Sequence, residues 1–170
     1  MERAFRIVDR GLHLDPLITA VARIPEQWWT QDTRRHPGTN GGVAVDTQAI
    51  RLTDPAMWAR FAPLVDPLVA RVTASAFPGI TGRRGKVSFS RIPAGKAIAL
   101  HIDREPDQAT LHRVHVPLIT NTEARLEFPQ HQARFCGRVG KAYEINSMLP
   151  HQAVNRGDTD RVHLVFDYHF

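Results

Sequence analysis

Apolar and polar residues alternate with a period of two through most of the second half of the chain, the spacing of strands with two unlike faces. The alternation predicts strands over Lys86 to Ile92, Ala97 to Asp103, Arg113 to Thr120, Ala124 to Phe128, Ala133 to Val139, Lys141 to Asn146 and Arg161 to Tyr168. Two earlier strands are predicted at Phe5 to Val8 and Val43 to Leu52, and GITGRRG reads as a basic turn. Helical spacing occurs twice. Asp15 and Pro16 offer an N-cap and first turn for a helix through Leu17 to Ala22. From Pro55 to Phe77 the apolar positions Trp58, Phe61, Leu64, Val65, Leu68, Val69 and Val72 form one stripe, with Asp54 as a cap and Pro63 and Pro67 expected to break the run into pieces. Many short strands separated by turns such as PAG point to a β-sandwich or jelly roll rather than βαβ units. The expectation is a mainly β protein with flanking helices. No repeat or linker interrupts it, so residues 1–170 read as one domain, with a strand and helix layer over 1–85 and a core over 86–170.

Two strands alternate in an unusual way. One face of the first carries Arg113, His115, Pro117 and Ile119, and the other carries Val114, Val116 and Leu118. In the last strand Arg161, His163, Val165 and Asp167 oppose Val162, Leu164, Phe166 and Tyr168. A sheet with one wet face explains either strand alone. Both polar faces begin with Arg and place His two residues on, however, without the Lys, Glu and Thr of a solvated surface. The alternative is that these faces line the inside of a jelly roll, where polar groups must be satisfied by one another or by a ligand.

Composition narrows the setting. A chain of 170 residues, 42% hydrophobic and 23% charged, is long enough for a sizeable core and is not disordered. One cysteine, Cys136, excludes an internal disulfide and a multi-thiolate zinc site, and fits a reducing compartment. The N-terminus lacks the apolar run of a signal peptide and no stretch approaches a membrane span, so a soluble cytoplasmic protein is expected. The net charge of +5 favours acidic ligands, but the arginines are scattered and no nucleic-acid motif or aromatic-basic platform accompanies them.

The chemistry gathers around AIALHID. His101 and Asp103 lie two apart near a strand end and project to one side. A third ligand comes from far along the chain, His151 in LPHQAVN, a segment read as running between strands, and Arg161 follows ten residues later. Two histidines and one carboxylate on one face of a metal leave positions open, as non-haem Fe(II) oxygenases require for a cosubstrate and dioxygen.

The stretches FSRIPAGKAIALHID, HRVHVPLITN and YEINSMLPHQAVNRGDTDRVHLVFDY, with AVDTQAIRL more weakly, resemble the aspartyl/asparaginyl β-hydroxylase family of Fe(II)- and 2-oxoglutarate-dependent oxygenases, in its small bacterial form related to the free-proline hydroxylases. The resemblance implies a double-stranded β-helix of cupin-like type with iron on His101, Asp103 and His151. It also implies that Arg161 pairs with the distal carboxylate of 2-oxoglutarate, that Ser90 assists there, and that Arg113 and His115 contact the cosubstrate's other end or the iron-bound carboxylate. Animal members acting on epidermal-growth-factor-like domains lack the acidic ligand that Asp103 supplies here, so their substrate is not carried over. An aspartyl or asparaginyl residue in a peptide or protein, or a free amino acid, is the expected substrate class. Arg34, Arg35 and His36, in a loop pinned by Trp28 and Trp29, together with Arg91, are either acid-binding side chains or solvated charges, and REPDQATLH is a flap or an ordinary connection. A non-oxidative cupin-like module binding a metal and a small acid is the alternative.

Overall fold

The computed structural model describes residues 3–31, 47–103 and 111–170. In chain order these form β1 (Phe5–Arg10), α1 (Asp15–Ala22), β2 (Thr30–Gln31), β3 (Gln48–Arg51), α2 (Pro55–Ala76), β4 (Arg83–Ile92), β5 (Ala97–His101), β6 (Leu111–Ile119), β7 (Ala124–Phe128), β8 (Ala133–Phe135), β9 (Lys141–Ile145), β10 (His151–Asn155) and β11 (Arg161–His169). The strands make two antiparallel sheets. The larger runs β1-β9-β6-β11-β4-β3-β2 and the smaller runs β5-β10-β7-β8. Together they make the mostly β jelly roll, with two helices, that the alternation predicted.

The two faces of the larger sheet do different work. Val87, Phe89, Val114, Val116, Leu118, Val162, Leu164 and Phe166 point outward and pack with Leu17 and Val21 of α1 and Phe61, Val65, Val69 and Val72 of α2. Phe61 meets Phe89 edge-on at 4.9 Å between ring centroids. On the inner face Tyr143 and Ile145 join Leu126, Phe128, Phe135 and Ala153 of the smaller sheet in a second apolar cluster. Between β6 and β11 the inner face is polar: cross-strand pairing sets Arg113 beside Asp167, His115 beside Val165 and Pro117 beside His163.

Several boundaries differ from the pattern-based expectation. α2 is one helix of 22 residues despite Pro63 and Pro67. Both prolines lie on its exposed side, and the buried stripe on the opposite side offsets the backbone bonds they remove. Asp54 caps it as expected, accepting from the Met57 N–H at 2.9 Å. For α1 the N-cap position falls to Leu14, without a side-chain bond, and Asp15 stands in the first turn. Arg83, Arg84 and Gly85 belong to β4 rather than to a turn. Arg84 lies over the Trp58 ring at 4.0 Å and pairs with Asp66, which explains its place on a strand. LPHQAVN, read as running between strands, contains β10, paired on both sides by β5 and β7. Its only apolar residues, Ala153 and Val154, are adjacent, so no alternation marks it as a strand. Among the described residues no helix is long and apolar enough to cross a membrane.

Candidate metal centre

β5 and β10 are antiparallel neighbours, and their register sets His101 directly opposite His151. Opposed side chains share a face, so the two imidazoles meet with ring centroids 4.3 Å apart. Asp103, two residues past the end of β5, donates its backbone N–H to the carbonyl of Ser147 at 3.1 Å. That bond ties it to the turn that leads into β10. One ligand atom from each of His101, Asp103 and His151 lies within 4.8 Å of the other two. His101 Nε2 is 3.4 Å from Asp103 Oδ1, and His151 Nε2 is 3.8 Å from Asp103 Oδ2.

Backbone carbonyls fix the imidazole tautomers. His101 Nδ1 is 2.7 Å from the Ala99 carbonyl and His151 Nδ1 is 2.9 Å from the Leu149 carbonyl. A carbonyl only accepts, so each Nδ1 carries the proton and each Nε2 keeps its lone pair toward the common centre. Burial pushes the pKa of His151 below the ordinary histidine value, against the opposing pull of Asp103, which favours the neutral ligating form. Burial by itself would raise the pKa of Asp103. The Arg113 guanidinium outweighs it and holds the carboxyl well below the usual carboxylate range. Two neutral nitrogens and one ionised oxygen therefore converge, and the set fits a divalent cation such as Fe(II).

Arg113 organises the acid side. Its Nε and one terminal nitrogen donate to both oxygens of Asp167 at 2.7 and 2.8 Å, while the other terminal nitrogen donates to Asp103. Asp167 is 2% exposed, so this fork is held out of solvent. The sequence set Asp167 on the polar face but gave it no role; its pairing opposite Arg113 supplies one.

Arg161 lies on the same inner face of β11 and is 3% exposed. Burial pushes its pKa down to about 10. Among the described residues it meets no carboxylate, and its side chain makes one hydrogen bond, donated to His163 Nδ1 at 2.9 Å. Ser90 stands across from His163 on β4, half-buried. His115 is buried with neither ring nitrogen bonded among the described residues, its ring 5.7 Å from that of His163 at 79°. Burial, followed by Arg161 and Arg113, pushes its pKa well below the histidine value. Among the described residues, the ring nitrogens of His115 and Nε2 of His163 are thus buried without hydrogen-bond partners beside a guanidinium that no carboxylate meets.

Arg91 departs from its suggested acid-binding role. It is held by Glu26 and Gln48, lies 3.6 Å from Asp160, and stacks on Trp29 at 4.6 Å. Two carboxylates already answer its charge. Arg34, Arg35 and His36, and the REPDQATLH stretch through residue 110, lie outside the described residues.

A jelly roll that gathers two imidazoles and one carboxylate around a common point, with a buried guanidinium nearby, defines a protein of the 2-His-1-carboxylate metal class. The model of the aspartyl/asparaginyl beta-hydroxylase family matches residues 65–169, well over half of the sequence. The chain belongs to that family. No curated protein matches it. Among solved structures it is similar to a prolyl-4-hydroxylase from Pseudomonas putida, at 15% identity and a TM-score of 0.62, covering 98% of this chain and 92% of that one. It is also similar to HygX from Streptomyces hygroscopicus with nickel, 2-oxoglutarate and hygromycin B bound, at 15% identity and 0.63, covering 98% and 82%. A third is the viral collagen prolyl hydroxylase of Paramecium Bursaria Chlorella virus-1 in its 2-oxoglutarate complex, at 11% identity and 0.58, covering 98% and 96%. These likenesses establish the shared fold.

Proposed function

We propose that this protein is an Fe(II)- and 2-oxoglutarate-dependent hydroxylase acting on an aspartyl or asparaginyl residue or on a free amino acid. One observation carries the reading: a buried arginine that meets no carboxylate among the described residues shares the interior of the jelly roll with a His-Asp-His cluster. A guanidinium left uncompensated at such depth is costly unless an anion answers it. A dicarboxylate cosubstrate supplies that anion.

His101, Asp103 and His151 would hold the metal, and Arg161 would take the distal carboxylate of 2-oxoglutarate in a bidentate grip that a lysine cannot match. Ser90 and His115 would add hydrogen bonds beside it. Arg113, clamped by Asp167, keeps Asp103 ionised and directed at the metal. When bound, iron with 2-oxoglutarate and dioxygen supplies the oxidising chemistry for an unactivated C–H bond, with release of succinate and carbon dioxide. The chain contributes orientation and a buried floor. Membership of the aspartyl/asparaginyl family supports an amino acid or peptide substrate. Purified protein given Fe(II), ascorbate and 2-oxoglutarate is expected to form succinate, and His101→Ala or His151→Ala to reduce the rate to that of Fe(II) in buffer. Undiminished turnover in both variants would remove the metal assignment.

A further inference from the structure

Arg161 has a long side chain with many rotamers, and among the described residues no backbone carbonyl holds it in place. Its single described partner is His163, 1% exposed and two residues along the same strand. Direction is unambiguous at this contact. A guanidinium only donates, so Nδ1 of His163 is the acceptor and the proton of the neutral ring sits on Nε2. Among the described residues Nε2 itself has no partner. A buried donor left unpaired is unfavourable, so the ring's placement is not explained by its own stability. The fold nevertheless makes room for it. A Cβ placed on Gly137 would come within 3.0 Å of His163 Cε1, 3.1 Å of Nε2 and 2.7 Å of Pro117 Cγ. Glycine at 137 leaves room for the ring between the strand and the segment before β9.

We propose that His163 is a positioning residue for the anion site: a neutral acceptor that fixes the plane of the Arg161 guanidinium while leaving its positive charge uncancelled. The inference rests on Arg161 binding the distal carboxylate of 2-oxoglutarate. A carboxylate at this position would orient the arginine equally well but would neutralise it, and an apolar ring would leave it unoriented. Imidazole, with its charge suppressed by burial and by the adjacent arginine, does the one without the other. An arginine held in advance does not have to be ordered when ligand arrives, which favours affinity.

The test measures binding by titration calorimetry of 2-oxoglutarate and of pyruvate, a 2-oxo acid with no distal carboxylate, to the Mn(II)-loaded protein. His163→Phe keeps a planar aromatic ring, somewhat larger than imidazole, and removes the acceptor. It is expected to weaken 2-oxoglutarate about tenfold while pyruvate binding is unchanged, and to raise KM for 2-oxoglutarate with little change in kcat. His163→Asn, which restores an acceptor oxygen near Nδ1, is expected to recover affinity to within about threefold. Gly137→Ala displaces the ring without deleting a polar atom and is expected to give the Phe signature, so the test does not depend on one variant folding. Equal loss of pyruvate and 2-oxoglutarate binding, or no loss of either in the Phe and Gly137 variants while Arg161→Leu weakens 2-oxoglutarate severely, would overturn the positioning role and leave the Arg161 assignment standing. If Arg161→Leu itself binds 2-oxoglutarate normally, the underlying reading fails instead.

Discussion

At the scale of single residues, the site is two linked electrostatic arrangements. In the first, Arg113 stands between Asp167 and Asp103, one cation shared by two buried carboxylates. Replacing it with leucine leaves both acids without their countercharge. The metal-free Arg113→Leu protein is expected to lose on the order of 3–5 kcal/mol in denaturant unfolding. Saturating Mn(II), which returns positive charge to Asp103, is expected to recover part of that loss; an equal deficit with and without metal would disconnect Arg113 from the metal centre. In the second arrangement His115 and His163 are buried neutral beside Arg161, both with pKa values pushed well below 6.5 by burial first and then by the arginine. The unfolded chain titrates these rings near pH ~6.5 while the folded chain does not. Below that pH the unfolded state binds more protons, so stability is complete above it and falls as the pH drops, by about 1.4 kcal/mol per unit for each ring. His163→Phe removes one of the two and is expected to make the metal-free unfolding profile between pH 6.5 and 5 correspondingly shallower.

At the scale of elements, α2 and β10 show what a sequence conveys well and what it conveys poorly. The stripe Phe61, Val65, Val69, Val72 predicted a helix and its buried side, and packing on the sheet bore that out. The prolines misled because proline's penalty depends on which side of the helix it occupies, a property of tertiary packing. Phe61, 0% exposed and seated on Phe89, is the anchor of the layer. Phe61→Ala is expected to cost about 3–5 kcal/mol by denaturant unfolding, whereas Asp54→Ala, which removes only the cap, costs about 1 kcal/mol. β10 was hidden for a different reason. His151 ends a turn in the sequence pattern, yet its register opposite His101 comes from pairing with a strand some fifty residues earlier, and no local periodicity encodes such a partner. The same limit applies to Asp167 and His163. Their common face was legible from alternation, but their partners, Arg113 and Arg161, became specific only once the β6–β11 register and side-chain directions were known.

At the scale of the whole molecule, the larger sheet sorts its side chains into an apolar outer face under two helices and an inner face that is polar along β6 and β11. That inversion of the usual sheet, apolar toward the helices and polar toward the interior, is what turns the jelly roll into a vessel for charged ligands. The alternation in Arg113 to Ile119 and Arg161 to Asp167 announced it before any coordinates. The central claim is that one divalent metal and one dicarboxylate occupy that interior together, the metal on His101, Asp103 and His151 and the acid on Arg161. Calorimetric titration of 2-oxoglutarate into the protein, with Mn(II) and after chelation, tests it most directly. The account predicts tight binding with metal that is lost on chelation, in His151→Ala and in Arg161→Leu. Binding of equal strength in the chelated protein, or in both variants, would contradict it.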